Sequence, residues 1–149
     1  MTDLQLASVE LSSEAIAAPG LNDAEQRAFS ACADEVLLIH LGGPMTFGAA
    51  TGLTKRLATV ASYRGVILDF TDVPHIDDSA ALALEMIIDR AAEADQMVIL
   101  TGLRRPVVRS FIRYGMLHSL KRCTRIPRRL DAIEHARALF ADEAPETED

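Results

Sequence analysis

One stretch of this chain, Val66–Leu82, constrains its fold more than any other. A short, nearly all-apolar run from Val66 to Phe70 ends in an acidic, polar turn, and a long apolar helical pattern begins at once behind it. Apolar runs of this length with few breaks read as a parallel strand covered on both faces. Asp77, Asp78 and Ser79 then stand where a helix N-terminus needs side-chain acceptors for its free N–H groups. The turn thus places one hydroxyl, Ser79, at the positive end of a helix and beside two carboxylates. As an N-cap or first-turn residue Ser79 needs no further role. A phosphoryl group there would gain from the free N–H groups but meet the repulsion of Asp77 and Asp78, and would act as a disruptor of a docked partner.

The rest of the chain supplies companions for that strand and helix. Residues 1–34 read as a lead-in segment. Leu4 to Leu11 alternates as an edge strand does, Ala17-Ala18-Pro19-Gly20 breaks it, and Asn22 or Asp23 can cap a short helix through Ala33. Strand Val36–Leu41 leads to a helix from about Phe47 to Ser62, which Gly65 ends. The helix behind the acidic turn runs from Ser79 to about Ala94, and strand Met97–Thr101 follows it. Pro106 suits the first turn of a short helix, with Val107, Val108, Phe111 and Ile112 as its expected buried face and Gly115 closing it. A last short strand, Thr124 to Ile126, and a terminal helix, Arg129–Ala141, complete the pattern, and residues 142–149 read as an acidic, disordered tail. The order β-α-β-α-β-α-β-α predicts an α/β fold: a mainly parallel sheet of four to five strands with an edge strand and four to five helices.

The strand, turn and helix carrying Asp69, Asp77 and Ser79 resemble the signature of the STAS domain (sulphate transporter and anti-sigma-factor antagonist). Its phosphorylatable Ser or Thr falls in an Asp-x-[Ser/Thr]-Gly stretch; here Ala80 replaces the Gly. The resemblance covers roughly residues 35–141. Within it Asp69 matches the strand-end acid, and His75 and Asp78 share the signature loop. A second phrase, Gly43-Pro44-Met45-Thr46-Phe47-Gly48-Ala49-Ala50, is similar to the strand-to-helix turn of STAS domains in bacterial SulP transporters of bicarbonate and sulphate. The resemblance therefore implies the cytosolic C-terminal domain of a SulP-type anion transporter, at the cytoplasmic face of the inner membrane. Regulation would come by contact, through Gly43, Pro44, Met45, Phe47 and the signature loop, with the transmembrane domain or a second copy in a homodimer. The alternative it implies is a free-standing anti-sigma-factor antagonist switched by phosphorylation of Ser79.

Other chemistries find less in the residues. Asp69, Asp72, Asp77 and Asp78 lack a further group to complete an acid–base or Mg²⁺ site, and read as solvated loop acids. Gly43 to Gly48 has the glycine spacing of a phosphate loop, but Ala49-Ala50 stands where Lys-[Ser/Thr] must follow. Nucleotide binding of another kind near the signature turn stays open. His40, His75, His118 and His135, with Cys32 and Cys123, show no metal-ligand spacing, and the two cysteines read as reduced thiols of a cytosolic protein. No enzyme, metal or cofactor is expected.

A net charge of -7 disfavours nucleic acid as a partner. The charge is unevenly spread, however. Residues 104–137 hold ten of the fifteen Lys and Arg against only Asp131 and Glu134. That segment is either a set of solvated helix faces or a patch for anionic lipid headgroups or an acidic protein. No stretch approaches the roughly 20 apolar residues needed to span a bilayer.

Overall fold

In the computed structural model, residues 9–12, 22–31, 35–42, 51, 52, 54 and 64–143 are described. Five strands, β1 (Val9–Ser12), β2 (Val36–Gly42), β3 (Gly65–Asp72), β4 (Met97–Thr101) and β5 (Thr124–Ile126), form one sheet in sequence order. The strands from β2 to β5 are parallel, and β1 joins the edge antiparallel to β2. The predicted α/β fold, a mainly parallel sheet with an edge strand, is therefore the observed one, and the structure adds that the edge strand runs antiparallel. The strands predicted at 36–41, 66–70 and 97–101 lie side by side, with Ile39 beside Leu68 and Leu68 beside Leu100.

Five described helices cover the two faces: α1 (Asp23–Ser30), α2 (Asp78–Glu93), α3 (Arg105–Arg113), α4 (Leu117–Lys121) and α5 (Arg129–Glu143). Strand residues alternate between the faces, so one strand feeds two cores. Val66, Leu68 and Phe70 pack with Leu37, Ile39 and Leu100 under α2, α3 and α4. Ile67 joins Val36, Leu38 and Ile99 against Phe29 of α1 and Ala132, Ile133 and Phe140 of α5. That double coverage explains why β3 reads as an unbroken apolar run. Phe70 and Phe111 meet edge to face, their centroids 6.0 Å apart, which locks α3 to the central strand.

Local signals set the helix ends. Asn22 caps α1 by accepting from Glu25 N–H at 2.8 Å, while the Glu25 carboxylate accepts the Asn22 N–H at 3.0 Å, a reciprocal capping box. Pro106 falls in the first turn of α3, and Gly115 follows the helix at φ +79. Gly102, after β4, has φ +73, and Thr71 leaves no room for a β-carbon there. Ile112 departs from expectation: it is 53% exposed, and only Val107 and Phe111 are fully buried on α3. A nine-residue helix lying flat on a sheet turns too narrow a stripe inward to bury four side chains.

Thr51, Gly52 and Thr54 are helical, within the helix expected at 47–62. The first-turn residues Gly43, Pro44, Met45 and Phe47 lie outside the described residues, as does the tail beyond Glu143. Among the described residues no helix is long and apolar enough to cross a membrane.

Candidate functional site

The signature loop leaves β3 at its carboxyl end and is pinned by its own apolar residues. Val73 and Ile76 are buried, and the Val73 N–H donates to Phe70 O at 3.0 Å. The polar residues between and behind these pins, His75, Asp77, Asp78 and Ser79, are all exposed. Asp77, not Ser79, is the N-cap of α2: its carboxylate accepts the Ala80 N–H at 2.7 Å. Asp78 accepts the Ser79 N–H at 2.8 Å. The Ser79 hydroxyl is thus left on the surface of the first turn, at the positive helix end, flanked by two carboxylates already engaged with the backbone. Ala80, where the family signature has Gly, is completely buried.

Asp69 corrects the reading of the four aspartates as solvated loop acids. Its position in β3 puts it on the same face as Ile67, and it has no exposed surface. A carboxylate there survives only if every oxygen is satisfied. Oδ1 accepts from Thr71 N–H at 3.0 Å and from the Thr71 hydroxyl at 2.6 Å. Oδ2 meets Arg129 Nη1 at 2.8 Å and His40 Nδ1 at 3.0 Å. Burial by itself pushes the carboxyl up, but the hydrogen bonds from Thr71, Arg129 and His40 outweigh it and hold Asp69 below the ordinary aspartate range.

The same guanidinium extends the network, since Arg129 Nη2 reaches Glu25 Oε1 at 3.1 Å. Burial would lower the Arg129 pKa, but its bonds to Glu25 and Asp69 prevail and raise it. On the other side His40 Nε2 lies 3.0 Å from Asp72 Oδ2 at the start of the signature loop. One chain of polar contacts therefore runs from α1 through α5, β3 and β2 to the loop. Its members are separated by up to 104 residues in sequence, so spacing gave no signal for it. The available clue was an acid inside an apolar strand, which must find a partner.

Above this network, at the carboxyl ends of the parallel strands, a cleft of about 400 Å³ is lined by Asn22, Thr71, Gly102 and Arg128, among others. His75 sits apart from the network, exposed in the signature loop. Among the described residues no group of three or more His, Cys, Asp or Glu is arranged to hold a metal ion. Cys123 is half-buried, and burial together with Asp89 pushes its thiol up to about 12 against the opposing pull of Arg125. It is a poor nucleophile at neutral pH.

A parallel sheet with an antiparallel edge, an exposed hydroxyl in the first turn of the helix after β3 and a buried acid within that strand define a class of small α/β module. The STAS domain profile matches residues 30–131, and the chain belongs to the STAS domain family. Over 102 residues it is 34% identical to the bicarbonate transporter BicA of Synechocystis sp., a match covering 68% of this chain and 18% of the relative. The chain thus spans about a fifth of the length of the curated relatives it matches. Among solved structures, a sulfate transporter family protein from Wolinella succinogenes superposes with a TM-score of 0.60 at 22% identity, covering 72% of this chain and 87% of that one. A putative anti-sigma factor antagonist from Thermotoga maritima gives 0.59 at 18% identity, covering 70% and 89%. Both structural likenesses are to the fold alone.

Proposed function

We propose that this chain is the cytosolic STAS domain of a SulP-type anion transporter of bicarbonate or sulphate, and that it regulates transport by protein contact at the cytoplasmic face of the inner membrane. The observation that carries the reading is the 34% identity over 102 residues with a bicarbonate transporter. The contact surface is the signature loop. Val73 and Ile76 hold it rigid while His75, Asp77, Asp78 and Ser79 face outward, a prepared surface that costs little ordering entropy on docking. The partner is the transmembrane domain of the same protein. A second copy adds to it through α2, where Leu82 and Met86, 57% and 58% exposed, lie one turn apart. A two-residue apolar stripe supports a weak homodimer rather than an obligate one. The reading assigns no reaction to the chain.

The test is anion uptake by the full-length transporter carrying Ser79→Asp or Ser79→Ala. The aspartate adds a third carboxylate beside Asp77 and Asp78 and weakens docking, so uptake changes. The alanine removes a hydroxyl with no capping role and leaves uptake nearly intact. Equal effects of the two substitutions would overturn the switch. Transfer of phosphate to Ser79 by a kinase acting with a sigma-factor regulator would favour an anti-sigma-factor antagonist instead.

A further inference from the structure

We infer that the solvent face of α3 and the start of α4 form a docking surface for an anionic lipid membrane. On α3, Arg105, Arg109 and Arg113 recur every four residues and are all exposed. At helical spacing they occupy one flank with Ile112. Most other described arginines are engaged: Arg64, Arg122, Arg128, Arg129 and Arg137 each meet a carboxylate, and Arg104 donates to Thr71 O. The side chains of Arg105, Arg109 and Arg113 make no ion pair or hydrogen bond among the described residues. No acid occurs between residues 104 and 123 to neutralise them. Asp89, which packs against α4, is held by Arg122 and Ser119.

Two aliphatic tips complete the surface. Ile112 is 53% exposed, and Leu117, where α4 begins, is 50% exposed. Lys121 is exposed at the end of α4. Three cations without an ion pair among the described residues, with Ile112 on their flank and Leu117 exposed four residues beyond Arg113, are what a peripheral membrane surface requires, charge for the headgroups and apolar tips for their boundary with the chains. The shape argues the same way. The face is the convex outer side of a helix, and the described clefts open elsewhere, one between β4, β5 and the inner flank of α3, the other at the strand ends over Arg129. A protein partner anchors side chains in pockets, whereas a lipid surface needs none. The chain as a whole is at -7, so an anionic membrane repels the rest of it and selects this face. The inference rests on the transporter reading only in that this puts a membrane within reach.

The test is co-sedimentation of the chain with phosphatidylcholine vesicles with or without about 30% phosphatidylglycerol, in about 0.1 M salt. Binding is expected to the anionic vesicles alone and to weaken in higher salt. Replacing Arg105, Arg109 and Arg113 together by Gln should lower partitioning about 100-fold, roughly five-fold for each charge. Ile112→Ser with Leu117→Ser should lower it further, and Arg90→Gln, on the exposed side of α2, should leave it little changed. All these positions are exposed, and circular dichroism verifies that each variant is folded. Equal binding to neutral vesicles, no binding, or full binding by the triple variant would overturn the inference. Absence of vesicle binding together with Arg-dependent binding of a polyglutamate peptide would assign the face to an acidic protein. The vesicle assay needs no membrane domain, so its failure leaves the transporter reading to the uptake test.

Discussion

Arg129 is the best single position at which to test whether the buried charge network holds this fold together. Its guanidinium bridges Asp69 at 2.8 Å and Glu25 at 3.1 Å, and the side chains of the three residues are 18%, 1% and 8% exposed. Arg129→Met keeps most of the volume and removes both bridges. Asp69 and Glu25 are then left as buried carboxylates short of a cation, a defect worth about 3–5 kcal/mol. That is a large part of the 5–15 kcal/mol expected for a whole domain. At roughly 2–4 °C per kcal/mol for a chain of this size, the melting temperature should fall by about 10–15 °C. The chain has no Trp, so far-UV circular dichroism under urea is the suitable assay. The network also makes stability depend on pH. The Asp69 carboxyl is held below its ordinary value in the folded state, so it contributes stability above about pH 4 that is lost as pH falls through the folded pKa. Arg129→Met should make that acid limb shallower. The triple substitution Glu25→Gln, Asp69→Asn and Arg129→Met should recover much of the loss, because no uncompensated charge remains. A loss below about 1 kcal/mol for Arg129→Met would refute the argument. So would a triple variant that is no better than the single one.

The helix cap and the turn glycine give two further checks by denaturation. Asp77→Ala should cost about 1 kcal/mol as the true cap of α2, whereas Ser79→Ala should stay within about 0.5 kcal/mol; the reverse order would return the cap to Ser79. Gly102→Ala should cost at least about 2 kcal/mol, since its β-carbon would fall 2.3 Å from Thr71 Oγ1 and 2.6 Å from Thr71 N at φ +73. Gly115→Ala has the same backbone problem with nothing within 4 Å and should cost only about 1 kcal/mol.

The sequence by itself determined the order of the elements and the central position of β3. A run such as Val66–Phe70 is soluble only when covered on both faces, and the acidic turn behind it could serve only as the start of a helix. It also located the signature loop with Ser79 at its end, because capping chemistry is local. Tertiary structure decided the rest. Asp69 looked like one acid among several until the strand's alternation turned it inward, where burial made partners obligatory. Its distant partners, His40 and Arg129, and Glu25 on the far side of Arg129, are brought together only by parallel pairing of β2 with β3 and by the packing of α1 and α5 on one face. Ile112 likewise read as core in the sequence, and the three arginines of α3, which make no ion pair among the described residues, read only as part of a longer basic run. How much of a short helix a sheet can cover, and which cations lie within reach of an acid, are settled by distances between elements that no local pattern encodes.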